Sequence, residues 1–107
     1  MANVDVMRKL IALLTVVALL VAAATVYAAT TNVSWKVGSN KTVKIHKGGS
    51  VKWVWTDSQP HNVKGPGVSS SVTSKKGHTV SHKFTKKGKF TYICQVHPSM
   101  KTVVRVG

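Results

Sequence analysis

The pattern of apolar and polar positions changes once along the chain, near residue 28. From Leu10 to Val26 it reads "LIALLTVVALLVAAATV", a run interrupted only by threonine and free of charge. Beyond it, apolar and polar residues alternate. In "SVKWVW" (50–55), Val51, Trp53 and Trp55 fall on one face and Lys52 on the other; in "KFTYIC" (89–94), Phe90, Tyr92 and Cys94 share a face. A period of two is that of a half-buried strand. Stretches rich in Val, Thr and aromatics at "VSWKV" (33–37), "TVKIHK" (42–47), "HTVSHKF" (78–84) and "TVVRV" (102–106) are expected to be strands as well. "KGGS" (47–50), "KKG" (75–77) and "KKGK" (86–89) read as turns, and "GPGVSSS" (65–71), with no apolar pattern, as a longer loop. Nothing after the apolar run has a helical period. Short strands at this spacing predict an all-β sandwich or barrel. Trp35, Trp53, Trp55, Phe84, Phe90 and Tyr92 are its expected core.

The apolar run has its own reading. Arg8 and Lys9 precede it, and "YAAT" follows it. A basic start, an apolar stretch and small residues at the end describe an export signal. Val26 and Ala28 satisfy the small-x-small rule, so cleavage is expected after Ala28. Residues 1–28 are then a signal helix, and residues 29–107 form one folded domain. About 18 apolar residues also begin to span a bilayer, so an uncleaved membrane tether through residues 10–27 is the alternative. Both place the domain outside the cytoplasm, in the periplasm or on the outer face of the cytoplasmic membrane.

Charge sharpens the picture. The full chain carries +14, and setting aside Asp5, Arg8 and Lys9 leaves +13 with Asp57 as the sole acidic side chain. A charge beyond about 8 exceeds what solubility asks of a small domain, and a field of this size attracts anionic partners. Nucleic acid is not the expected one. The domain has 13 Lys and only Arg105, and lysine lacks the planar fork suited to phosphate and base edges. With one Asp and no Glu there is no carboxylate pair for acid–base hydrolysis, and no enzymatic activity is expected.

The chemistry lies in "CQVHPSM" (94–100), which places the chain's only cysteine, Cys94, three residues before His97 and six before Met100. An odd cysteine in an exported chain is an intermolecular bridge, a reactive thiol or a metal ligand. Thiolate, imidazole and thioether are soft or borderline donors. One Cys and two His with a distant Met are the blue-copper set. The missing histidine is supplied by "SQPHNV" (58–63), where His61 follows the strand 50–55. Cys94 ends a strand, and Pro98 stiffens the loop that carries His97 and Met100. His78 and His82 are four apart, but on a strand that separates them by about 13 Å. With His46 they are read as surface residues.

These motifs carry a resemblance. "GGSVKWVW", "PHNV", "GKFTYICQVHPSM" and "TVVRV" occur in the order found in small blue copper proteins, the cupredoxins of the plastocyanin and amicyanin type. The Cys-x2-His-x2-Met loop resembles the short amicyanin form. The resemblance covers nearly all of residues 29–107 and implies a Greek-key β-sandwich holding one type 1 copper ion. Carried across, His61, Cys94, His97 and Met100 fall on the copper ligands. Asn62 falls on the residue that ties the two ligand loops together. Three positions depart from the pattern: Gln95 stands where Thr or Ser is common, which bears on the bond between the loops; Trp55 where a small polar residue is frequent; and Thr102 where glycine is frequent.

The implied function is a monomeric one-electron shuttle between acidic donor and acceptor proteins, with the electron passing at the outward edge of His97. Pro98 and Ser99 form the expected docking patch, and Lys75, Lys76, Lys83, Lys86, Lys87 and Lys89, the densest group of lysines, the expected steering surface. A copper carrier or buffer outside the cytoplasm is the alternative. Against it, the chain lacks the exposed Met- or Cys-rich tracts through which such carriers exchange metal.

Overall fold

The computed structural model describes residues 28–107. The expected signal or tether lies outside these residues. Eight strands and no helix make up the described chain: β1 (Thr30–Trp35), β2 (Asn40–Ile45), β3 (Ser50–Trp55), β4 (Lys64–Gly65), β5 (Val68–Ser69), β6 (Thr79–Lys83), β7 (Gly88–Ile93) and β8 (Lys101–Val106). They form two sheets, ordered β1-β3-β6 and β2-β8-β7-β4-β5. β1 runs parallel to β3, and β2 parallel to β8; β6, β7 and β4 pair antiparallel with their neighbours. The all-β sandwich expected from the alternation, and its Greek-key form implied by the resemblance, are the fold observed. β1 starts at Thr30 rather than Val33, because its parallel ladder continues back to Thr30 opposite Ser50.

The period of two is preserved in burial. Along β3, Val51, Trp53 and Trp55 are buried, and along β8, Thr102, Val104 and Val106 are, while the residues between them are more exposed. These inward faces meet Val33, Trp35 and Tyr92 in one continuous core, which also takes in Cys94 and Met100. A buried indole N–H needs a partner, and all three have one. Trp35 donates to the Asn62 carbonyl (3.1 Å), Trp53 to the Thr102 hydroxyl (3.2 Å) and Trp55 to the Thr73 carbonyl (2.9 Å). Thr102 thereby supplies an acceptor that glycine lacks.

The segment read as a loop at 65–71 contains the β4–β5 hairpin. Its turn is Pro66-Gly67, with Gly67 at φ +74°, the position where a type II turn takes glycine. The Tyr92 hydroxyl donates to the Pro66 carbonyl (2.8 Å) and pins the hairpin to β7. Gly65 is required by proximity: a Cβ there would lie 2.5 Å from both the Thr91 carbonyl oxygen and the Tyr92 ring. Gly65→Ala is therefore expected to destabilise the domain by about 1–3 kcal/mol, the usual range for overpacking. Thermal unfolding of the variant beside the parent checks it.

Strand directions define two ends. β1 and β3 finish together at Trp35 and Trp55. β7 finishes and β8 begins at the Ile93–Lys101 pair, and β2 begins beside it at Asn40. The loops that follow Trp55 and Ile93 thus leave from the same end of the sandwich.

Candidate metal centre

Those two loops bring His61, Cys94 and His97 together. One ligand atom from each lies within 4.8 Å of the others. His61 Nδ1 is 3.9 Å from Cys94 Sγ, shorter than two metal–ligand bonds of about 2.0 and 2.3 Å laid end to end. The imidazoles of His61 and His97 meet edge to face, with centroids 5.1 Å apart. Met100 is fully buried in the same core cluster as Cys94, and its backbone closes the loop. The Met100 amide donates to the His97 carbonyl (2.9 Å) and the Cys94 amide to the Met100 carbonyl (3.2 Å).

His61 is held from three sides. Its amide and carbonyl form a reciprocal bridge with Thr73, both bonds 3.0 Å. Its Nε2 lies 2.6 Å from Asp57 Oδ1. A carboxylate there assigns the ring proton to Nε2 and leaves Nδ1 free as a donor atom toward the cluster. Asp57 also accepts from the amides of Val37 (3.0 Å) and Gln59 (3.2 Å). Burial pushes the Asp57 carboxyl up, but these amides and His61 outweigh it and hold the group below the ordinary carboxylate range. The sequence marked Asp57 only as the lone acid of the domain. Its role depends on the fold of residues 56–61, which no spacing motif encodes.

Asn62 and Gln95 join the two ligand loops. Asn62 Nδ2 donates to Gln95 Oε1, and the Gln95 amide donates to Asn62 Oδ1, each at 2.8 Å. The departure at Gln95 keeps the link between the loops and adds a second bond, since its longer side chain reaches back to the carboxamide. Asn62→Ala removes both bonds. It is expected to weaken Cu(II) binding about 10–100-fold, as losing a partner behind metal ligands typically does. Gln95→Ala keeps the backbone bond and should lose less; competition against a chelator measures both.

Among the described residues, His97 Nδ1 is a buried side-chain nitrogen with no hydrogen-bond partner. Such an orphan is costly unless something occupies its lone pair. It faces a cluster of thiolate and imidazole donors, the set that suits copper. The residues therefore fit a copper ion. The profile of the copper binding proteins of the plastocyanin/azurin family matches residues 37–107. The chain belongs to that family. Its cofactor is one type 1 copper ion. The chain is 41% identical over 70 residues to amicyanin-alpha of Methylorubrum extorquens, a match covering 60% of this chain and 59% of that protein. Among solved structures, the purple cupredoxin from Nitrosopumilus maritimus is 29% identical, with a TM-score of 0.51 over 62% of this chain and 77% of that one. Amicyanin from Paracoccus versutus is 24% identical, with a TM-score of 0.58 over 80% and 87%, and shares the fold.

Around this cupredoxin centre, His97 is half-buried, and Pro98 and Ser99 beside it are exposed, as is Val96 at 41%. The lysines read as one group are divided. Lys75 and Lys76 sit in the turn whose Gly77 amide donates to the Trp55 carbonyl (2.8 Å), at the metal end. β6 then carries the chain away, and Lys83, Lys86, Lys87 and Lys89 lie at the opposite end, where Lys83 pairs with Ser50. Of the histidines read as surface residues, His46 is exposed, but His78 and His82 are half-buried. His78 packs edge-on against Trp55 (4.8 Å) and His82 against Phe84 (4.8 Å). Both imidazoles cover apolar rings that the alternation pattern did not leave bare.

Proposed function

We propose that the protein is an exported carrier of single electrons, with copper held by His61, Cys94, His97 and Met100. The convergence of His61, Cys94 and His97, the last with an orphaned Nδ1, carries this reading. When bound, copper supplies the one-electron change between Cu(II) and Cu(I). The chain's residues do the rest. Asp57, Thr73, Asn62 and Gln95 fix the ligand loops before metal arrives, so little rearrangement accompanies the redox change. Cys94 and Met100, both fully buried, exclude water from the donors. His97 is the half-buried ligand, and its surroundings of Val96, Pro98 and Ser99 offer a small neutral contact surface. Lys75 and Lys76 lie at this end and favour an acidic partner, with an encounter rate that falls as salt rises. Export is supported by the apolar run and the small residues that follow it.

The test is to load the protein with Cu(II), record the visible spectrum, and cycle it with ascorbate and ferricyanide. The expected result is an intense blue band, bleached and restored over repeated cycles with the copper retained. Release of copper on reduction would favour the copper-carrier reading instead. A colourless product would show that the donors do not share an ion.

A further inference from the structure

The end of the sandwich opposite the metal centre carries a different chemistry. On the outer face of the five-stranded sheet, Lys44 of β2 pairs with Arg105 of β8, and Arg105 pairs with Lys89 of β7. All three are exposed. Neighbouring strands lie about 4.8 Å apart, so three cations stand in a row about 10 Å long. Like charges directly opposite each other destabilise a sheet. Among the described residues no carboxylate side chain relieves them, because Asp57, the sole acid there, is at the other end beside His61. The adjoining turns add exposed Lys47, Lys86 and Lys87. These turns are tied together: the Lys47 amide donates to the Gly107 carbonyl (3.2 Å) and the Gly48 amide to the Phe84 carbonyl (2.7 Å).

A second observation gives this patch a direction. The Ala29 carbonyl accepts from the Ser50 amide (3.0 Å), so the chain joins the sandwich at this same cationic end. In sequence, the apolar run Leu10–Val26 stops just before it. Only Tyr27 and Ala28 separate that run from Ala29 in sequence.

We propose that this end is a membrane-docking face. Lys44, Lys47, Lys86, Lys87, Lys89 and Arg105 bind the phosphate groups of anionic lipids, and the domain stands on the bilayer with its copper edge turned outward. The face takes part where the apolar run is retained rather than cleaved after Ala28: the run then anchors the chain, and each Lys or Arg near an anionic surface strengthens the attraction about fivefold. Five of the six cations are lysines, compact charges suited to a fluid layer of headgroups rather than to a fixed carboxylate. None of the six belongs to the metal centre, so the inference stands or falls independently of the copper chemistry.

The full chain is reconstituted into vesicles of phosphatidylcholine, with and without phosphatidylglycerol, and acetylation of each lysine is followed by mass spectrometry. Phosphatidylglycerol is expected to slow labelling of Lys44, Lys47, Lys86, Lys87 and Lys89 severalfold, to leave Lys75 and Lys76 unchanged, and to lose its effect in high salt. In the variant Lys47→Ser, Lys86→Ser, Lys87→Ser, surface attraction should drop about fivefold for each lysine removed, and Lys44 and Lys89 should lose their protection. The substituted residues lie in exposed turns, and the visible copper spectrum of the variant reports that it has folded. Equal protection on both lipids would overturn the proposal, since it needs only proximity to the bilayer. Protection that includes Lys75 and Lys76, or no protection, would overturn it too. So would protection by polyglutamate but not by anionic vesicles, which would make the face a protein-binding one.

Discussion

Cys94→Ser is expected to give a folded, colourless protein with little hold on copper. The thiolate is the soft donor on which the blue-copper set depends, and a serine hydroxyl remains protonated at neutral pH. The loss of Cu(II) affinity should exceed the roughly 10–100-fold cost of losing a group behind the ligands, and the intense visible band should vanish. Cys94 is fully buried within the core cluster. The hydroxyl therefore also costs about 1–3 kcal/mol if it finds no partner. Near-parental circular dichroism with no blue band after Cu(II) addition is the expected pair of results. Met100→Leu is the contrast: the axial thioether is a weak ligand, so that variant should keep its colour and shift its potential. A blue band persisting in Cys94→Ser would remove the thiolate from the site and, with it, the assigned ligand set.

Trp53→Ala carries the largest expected effect on stability. The indole is fully buried at the centre of β3, with its centroid 4.9 Å from that of Tyr92. Truncating a buried aromatic costs about 3–5 kcal/mol. The Thr102 hydroxyl also loses the N–H that it accepts. Whole-domain stabilities are only about 5–15 kcal/mol, so the variant should sit near the edge of unfolding, with Tm lowered by roughly 15–30 °C. Trp53→Phe keeps most of the packing and should recover much of the loss. If the alanine variant melts within a few degrees of the parent, Trp53 is not the keystone that its burial implies.

The alternation of Val51, Trp53 and Trp55 made β3 legible to the residue, because burying one face of a strand imposes a period of two. The convergence of His61, Cys94 and His97 was legible for a chemical reason: few purposes unite a thiol and two imidazoles. The short hairpin at β4–β5 was not, since two-residue strands show no period and Pro66-Gly67 reads simply as a break. Gln95 left the bond between the loops undecided in the sequence, and only the geometry shows its side chain answering Asn62. Asp57 could not be placed, because its bond to His61 is made by the shape of the intervening loop. The lysines from Lys75 to Lys89 are close in sequence and divided in space for a plain reason: a strand lies between them, and strands carry charge from one end of a sandwich to the other.

One feature of the topology bears on how the molecule matures. β8 is the last strand of the chain and also the link between β2 and β7. Its partner at Asn40 precedes Lys101 by most of the domain's length, a contact that closes slowly. β1, β3 and β6 pair with one another without β8, but β2 and β7 are joined only through it. The loop that carries Cys94, His97 and Met100 thus runs straight into the strand that closes the sheet, so docking of β8 and ordering of the donors are one event.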